Sequence, residues 1–114
     1  PVEDEVKMIE AKAPNIHRKM ATFLAEVADM ARKAYSEGVI KSPMSPRETI
    51  ATARRMAAFS GNLKGEDALQ AQLQATINCF EMSFLFRWSP DDRMEFLKAT
   101  ASVAGRLGLP VSLE

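Results

Sequence analysis

The run Ile16-His17-Arg18-Lys19-Met20-Ala21-Thr22-Phe23-Leu24-Ala25-Glu26-Val27-Ala28-Asp29-Met30-Ala31-Arg32-Lys33-Ala34 decides the fold. Ile16, Met20, Phe23, Leu24, Val27, Met30, Ala31 and Ala34 recur at spacings of three and four, which draws one apolar stripe along a helix over about residues 15–37. Lys19, Glu26, Arg32 and Lys33 fall mostly off the stripe, so one side is made for a core and the other for water. Gly38 follows as a natural C′ residue, where the chain turns left-handed to leave a helix.

Working outward from this helix, the punctuation falls where other helices should end. Towards the N-terminus, a short helix over about 2–13 opens with Glu3, Asp4 and Glu5, which suit the positive end of a helix dipole, and Pro14 closes it. Towards the C-terminus, a stiff linker from Val39 to Met44, including Pro43, leads into Ser45-Pro46-Arg47-Glu48. Ser45 can cap, Pro46 fits the first helical position, and Glu48 completes a capping box. The third helix then runs to about Ser60 with Ile50, Ala53, Met56, Ala57 and Phe59 expected inward, and Gly61-Asn62-Leu63-Lys64-Gly65 turns the chain. A fourth helix over about 66–87 aligns Leu69, Leu73, Ile77, Phe80 and Phe84. Near its end Met82, Leu85, Phe86 and Trp88 make it apolar almost all round, so it must be buried centrally or against a partner. Ser89-Pro90-Asp91-Asp92 repeats the cap-plus-proline pattern, and a fifth helix runs to about Arg106 before Gly108 and Pro110. The expected fold is all-α, a compact bundle of about five helices forming a single domain over 1–114.

Composition narrows the function classes. With 114 residues, 46% of them hydrophobic, the chain can bury one modest core. Fifteen basic side chains balance fifteen acidic ones, which argues against a coat for nucleic acid or an anionic membrane. No apolar run approaches the ~20 residues that span a bilayer, and no signal peptide is visible. The lone Cys79 sits among Ile77, Phe80, Met82 and Phe84 and reads as a small buried hydrophobe, consistent with a reducing, cytoplasmic home. The chain opens Pro1-Val2-Glu3, which suits either loss of an initiator Met or a segment of something longer.

The candidate site is the start of the third helix. The first turn of a helix offers unpaired N–H groups and a partial positive charge, and Arg47 adds a guanidinium with bidentate donors. Such a corner takes phosphate. Many helices nevertheless carry a first-turn arginine that is only solvated or paired with a nearby carboxylate, and the residues by themselves favour that blander reading.

A resemblance shifts the balance. Lys19-Met20, the run Val27-Ala28-Asp29-Met30-Ala31-Arg32-Lys33-Ala34-Tyr35-Ser36-Glu37-Gly38, and Met44-Ser45-Pro46-Arg47-Glu48-Thr49-Ile50 look like the C-terminal part of MoxR-type AAA+ ATPases. The likeness is nearest to the smaller ATPase subunit of aerobic cobaltochelatase. The opening Asp4-Glu5-Val6, Ile9 and Ala11-Lys12-Ala13-Pro14 is similar to the segment where that family leaves its large α/β domain. The likeness covers roughly the first sixty residues and fades over the last two helices. It implies that residues 1–14 connect to an ATPase core outside this chain and that 15–114 form a lid. It also implies that Arg47 is the second sensor, reaching the terminal phosphates of ATP held by the core, with Ser45, Pro46 and Glu48 fixing the helix start that aims it. ATP and Mg²⁺ would then be held through the core, and the partners would be that core domain and neighbouring subunits of a homo-oligomeric ring. The parent's work would be metal insertion or the remodelling of another protein.

The chain has no G-x-x-x-x-G-K-[ST], since Gly61-Asn62-Leu63-Lys64-Gly65 lacks the spacing and the hydroxyl, and it shows no strand pattern to carry Mg²⁺-binding carboxylates. No catalytic and no metal-ligating residues are therefore assigned. His17 stands beside Arg18 and Lys19 without ligand partners and reads as a surface histidine. Asp91 and Asp92 read as helix-start residues rather than a catalytic pair. Arg54 and Arg55 belong to a solvated face. The alternative function is a stand-alone helical module that binds a partner protein through Phe84, Leu85, Phe86 and Trp88. Helix-turn-helix DNA binding fits poorly, because the connection after the second helix is long and no helix has a basic exposed face.

Overall fold

In the computed structural model, which describes residues 1–111, the chain folds as α1 (Val2–Lys12), α2 (Arg18–Ser36), α3 (Pro46–Ser60), α4 (Gly65–Ser83) and α5 (Pro90–Leu107). A single 3-10 turn, Leu85–Arg87, separates the last two. Among the described residues there is no strand, so the all-α bundle expected from the sequence is the fold observed. Its radius of gyration, 12.9 Å, matches the ~13 Å of one packed domain of this length.

α2 is the hub, packing on all four other helices. Phe23, Leu24 and Val27 of its apolar stripe are fully buried, and so are Ala21, Ala25 and Ala28 beside it. Alanine lets neighbouring backbones close in, which is how one helix serves four partners. Burying Phe23 and Leu24 stabilises the fold by roughly 1.5–3 kcal/mol each. α2 begins at Arg18, later than expected, because His17 is its cap. The His17 Nδ1 accepts from Lys19 N–H at 3.1 Å, while the His17 backbone N–H donates to Oε1 of the buried Gln72 at 2.9 Å.

α3 and α4 form a hairpin around Gly61, whose φ of +56° lies in the left-handed region. The buried stripe of α3 keeps Ala53, Met56 and Ala57 inward as expected, but they are joined there by Thr49, Thr52 and Ser60 rather than by Ile50 and Phe59. Ile50 is only half-buried, and Phe59 points outward with 63% of its surface exposed. The interior hydroxyls satisfy themselves on their own helix, Thr52 donating to Glu48 O at 2.8 Å and Ser60 to Ala57 O at 3.0 Å. That removes the desolvation cost which makes threonine look like a surface residue.

α4 also ends sooner than expected. The chain bends at Phe84 (φ −158°, ψ −31°) and continues as the 3-10 turn. The bend turns Phe84, Leu85 and Trp88 inward together, where Phe84 and Trp88 meet Phe96 of α5 edge-on at centroid distances of 5.3 and 5.5 Å. Phe80 joins them at 5.0 Å. Three of the four residues read as a candidate interface are thus core; Phe86 alone is exposed, with the Arg87 guanidinium over its ring at 5.2 Å. No helix among the described residues is long and apolar enough to cross a membrane.

Candidate functional site

The start of α3 is built from the linker that precedes it. Ile40 and Met44 anchor that linker in the core, and two groups on other helices grip its backbone. Asp92 of α5 accepts from Lys41 N–H at 3.1 Å and from the Ser42 hydroxyl at 2.9 Å. Arg32 of α2 donates from Nε to the Met44 carbonyl at 3.3 Å. Ser45 then sits in extended geometry (φ −82°, ψ 163°) with Pro46 at the first helical position.

Glu48 closes the cap. Its Oε1 accepts from Ser45 N–H at 2.7 Å and from Ser45 Oγ at 2.8 Å, and its Oε2 accepts from Arg87 Nη2 at 2.8 Å. Both carboxylate oxygens are therefore engaged, and the acid nearest to Arg47 in sequence is not its partner. Among the described residues Arg47 forms no ion pair, and its side chain is exposed. Among the other arginines, Arg18, Arg32, Arg87, Arg93 and Arg106 each pair with a glutamate, and Arg54 donates to the Lys12 carbonyl at 3.1 Å. Arg55, like Arg47, is exposed without an ion pair among the described residues, but it lies in the middle of α3 rather than at its start. Glu48 N–H and Thr49 N–H return to the Ser45 carbonyl at 3.1 and 3.2 Å. The free guanidinium of Arg47 thus stands at the positive end of a helix, the arrangement that receives an oxyanion.

Ser45, Pro46, Arg47, Glu48, Ala51, Ser83 and Arg87 line one open groove. The structure thereby brings together the four residues singled out at this helix start and adds three that the sequence did not point to, Ala51 and the polar Ser83 and Arg87. Ser83 Oγ is the one buried side-chain polar atom among the described residues without a hydrogen-bond partner. Arg87 sits 39 residues from Glu48 along the chain, so only the fold could reveal their pairing.

The remaining sequence candidates take structural places. Asp91 is exposed, whereas Asp92, 6% exposed, clamps the linker as well as standing in the first turn of α5. The capping role belongs to Ser89, whose Oγ accepts from Asp92 N–H at 3.2 Å. Arg54 reaches across to the C-terminal end of α1, a contact the sequence reading of a solvated face did not contain. Cys79 is buried, and burial pushes its thiol up to about 11, which keeps it protonated and unreactive near neutrality. Among the described residues no group of three or more His, Cys, Asp or Glu side chains is placed to hold a metal ion. No family model, no curated protein and no solved structure matches this chain.

Proposed function

We propose that this chain is the nucleotide-sensing and oligomerisation lid of an AAA+ ATPase, with Arg47 as the residue that touches the terminal phosphate of ATP. The observation that carries this reading is that Arg47, with no ion pair among the described residues, stands at a helix start whose own carboxylate is already engaged by Ser45 and Arg87. A guanidinium held this way is ready for a phosphate without first giving up another partner, and bidentate geometry favours that ligand. ATP supplies the phosphate whose loss on hydrolysis removes the partner of Arg47; the cradle for it and the Mg²⁺ would come from the ATPase core. A change in contact between the ATP and ADP states then biases the angle between lid and core. The chain itself supplies a sensor and no catalytic group.

The test is Arg47→Ala in the full polypeptide. By analogy with removal of one oxyanion donor, ATP turnover should fall on the order of 100-fold. The far-ultraviolet spectrum and melting temperature should stay as they were, because an exposed, unpaired side chain holds nothing in place. Unchanged turnover would remove Arg47 from the account.

A second reading has its own observation. Phe59 and Met82 are exposed on the two walls of one groove between α3 and α4, an apolar surface to which another protein could bind. A stand-alone interaction module would use this surface and Phe86 rather than the buried Phe84, Leu85 and Trp88. Polar replacement of Phe59 and Met82 that abolished partner capture, with nucleotide irrelevant, would favour it over the lid.

A further inference from the structure

The Arg32 guanidinium joins three segments of the chain at once. Nη1 and Nη2 donate to the two carboxylate oxygens of Glu5, in the first turn of α1, at 2.8 and 2.7 Å. Nε donates to the carbonyl of Met44, the residue immediately before the cap of α3. Glu5 is largely sheltered, its side chain 11% exposed, so the pair is screened less than one at the surface. Arginine is the one side chain whose planar fork can serve a carboxylate and a carbonyl together; a lysine ammonium is a single point with no such span.

The position of the Met44 bond matters. The other grip on the linker, from Asp92, falls at Lys41 and Ser42 and ties it to α5. The grip of Arg32 falls at the last residue before Ser45, so it fixes the direction in which α3 starts, and it fixes it relative to α1. Arg54 on α3, donating to the Lys12 carbonyl, repeats the coupling at the far end of α1. We propose that Arg32 is a positioning residue for Arg47: through Glu5 and the Met44 carbonyl it locks the first turn of α3 to α1, so that any displacement of α1 re-aims Arg47. The structural half of this inference stands on the bonds alone; its consequence for nucleotide rests on the lid reading proposed above.

Arg32→Lys tests it, because lysine keeps the charge towards Glu5 but cannot hold both Glu5 and Met44. On the isolated chain, amide hydrogen exchange at Ser45, Glu48 and Thr49 should quicken about tenfold, with the amides of α4 and α5 unchanged. In the full polypeptide, kcat/KM for ATP should fall about tenfold, and adding Arg32→Lys to Arg47→Ala should cost no further activity, since a residue that acts through Arg47 has nothing left to position. Unchanged exchange at the start of α3, equal acceleration in every helix, or additive losses in the double variant would each overturn the proposal. Should Arg47→Ala itself leave turnover intact, the nucleotide reading fails, and the exchange rates still decide whether Arg32 holds the start of α3.

Discussion

Two helices of this chain start with the same signature, a serine followed by a proline. At α5, Ser89-Pro90-Asp91-Asp92 caps itself through the serine, and the fourth residue turns inward. The Asp92 carboxylate is buried and takes hydrogen bonds from the linker before α3. At α3, Ser45-Pro46-Arg47-Glu48 folds its fourth residue back on the cap instead. Glu48 spends both oxygens on Ser45 and Arg87, and Arg47 is left facing water. The pattern of cap and proline places a helix start in both cases, but what each start is for depends on where the fourth side chain points. One first turn is structural because its acid holds the backbone of the linker; the other leaves Arg47 available because its acid is spent on the cap and on Arg87.

The comparison is most easily broken at its buried half. Asp92→Ala should cost ~2–3 kcal/mol of stability by denaturant unfolding, because it strands the Lys41 N–H as well as losing a charged acceptor. A cost below half a kcal/mol would mean that the linker is not held there. Glu48→Ala should cost less, ~1 kcal/mol, since its main work is the local cap and its pairing with the half-exposed Arg87 adds little. Arg47→Asp sharpens the contrast by separating stability from function. An acid in the first turn suits the helix dipole, so this variant should gain ~0.5 kcal/mol while losing the proposed phosphate contact altogether. A clear loss of stability would show that Arg47 is a structural residue after all.

Most of the architecture was legible in the residues, because spacing, caps and glycines all agree. The α2 stripe, Gly38, the Ser45 and Ser89 starts and Gly108 each mark a boundary that the fold respects to within a few residues. The misreadings share one cause, which is that helices were judged by their own apolarity. Thr49, Thr52 and Ser60 go inside because their hydroxyls find partners on the same helix, displacing Phe59 to the surface. Phe84, Leu85 and Trp88 belong to the stretch expected to be buried centrally or against a partner, and the bend at Phe84 puts them in the core, Phe84 and Trp88 against Phe96. At the site, Arg47 and its cap could be read locally, whereas Arg87, Asp92 and Arg32 act across 39, 51 and 27 residues of chain. A local pattern carries no trace of partners at such range. Gln72 is the same case: nothing around it marks it as the buried amide that receives the His17 N–H and donates to Asn15 and Ser60.

The lid reading makes a demand that no variant is needed to check. An antibody raised to this chain should recover the polypeptide from its source cells, and mass spectrometry should give its size and peptides. The account predicts a polypeptide well above the 12.6 kDa of this chain, with a phosphate-binding G-x-x-x-x-G-K-[ST] sequence on the N-terminal side of α1. A polypeptide of 12.6 kDa that assembles with no ATPase would contradict it and leave the helices to act alone, through Phe59, Met82 and Phe86.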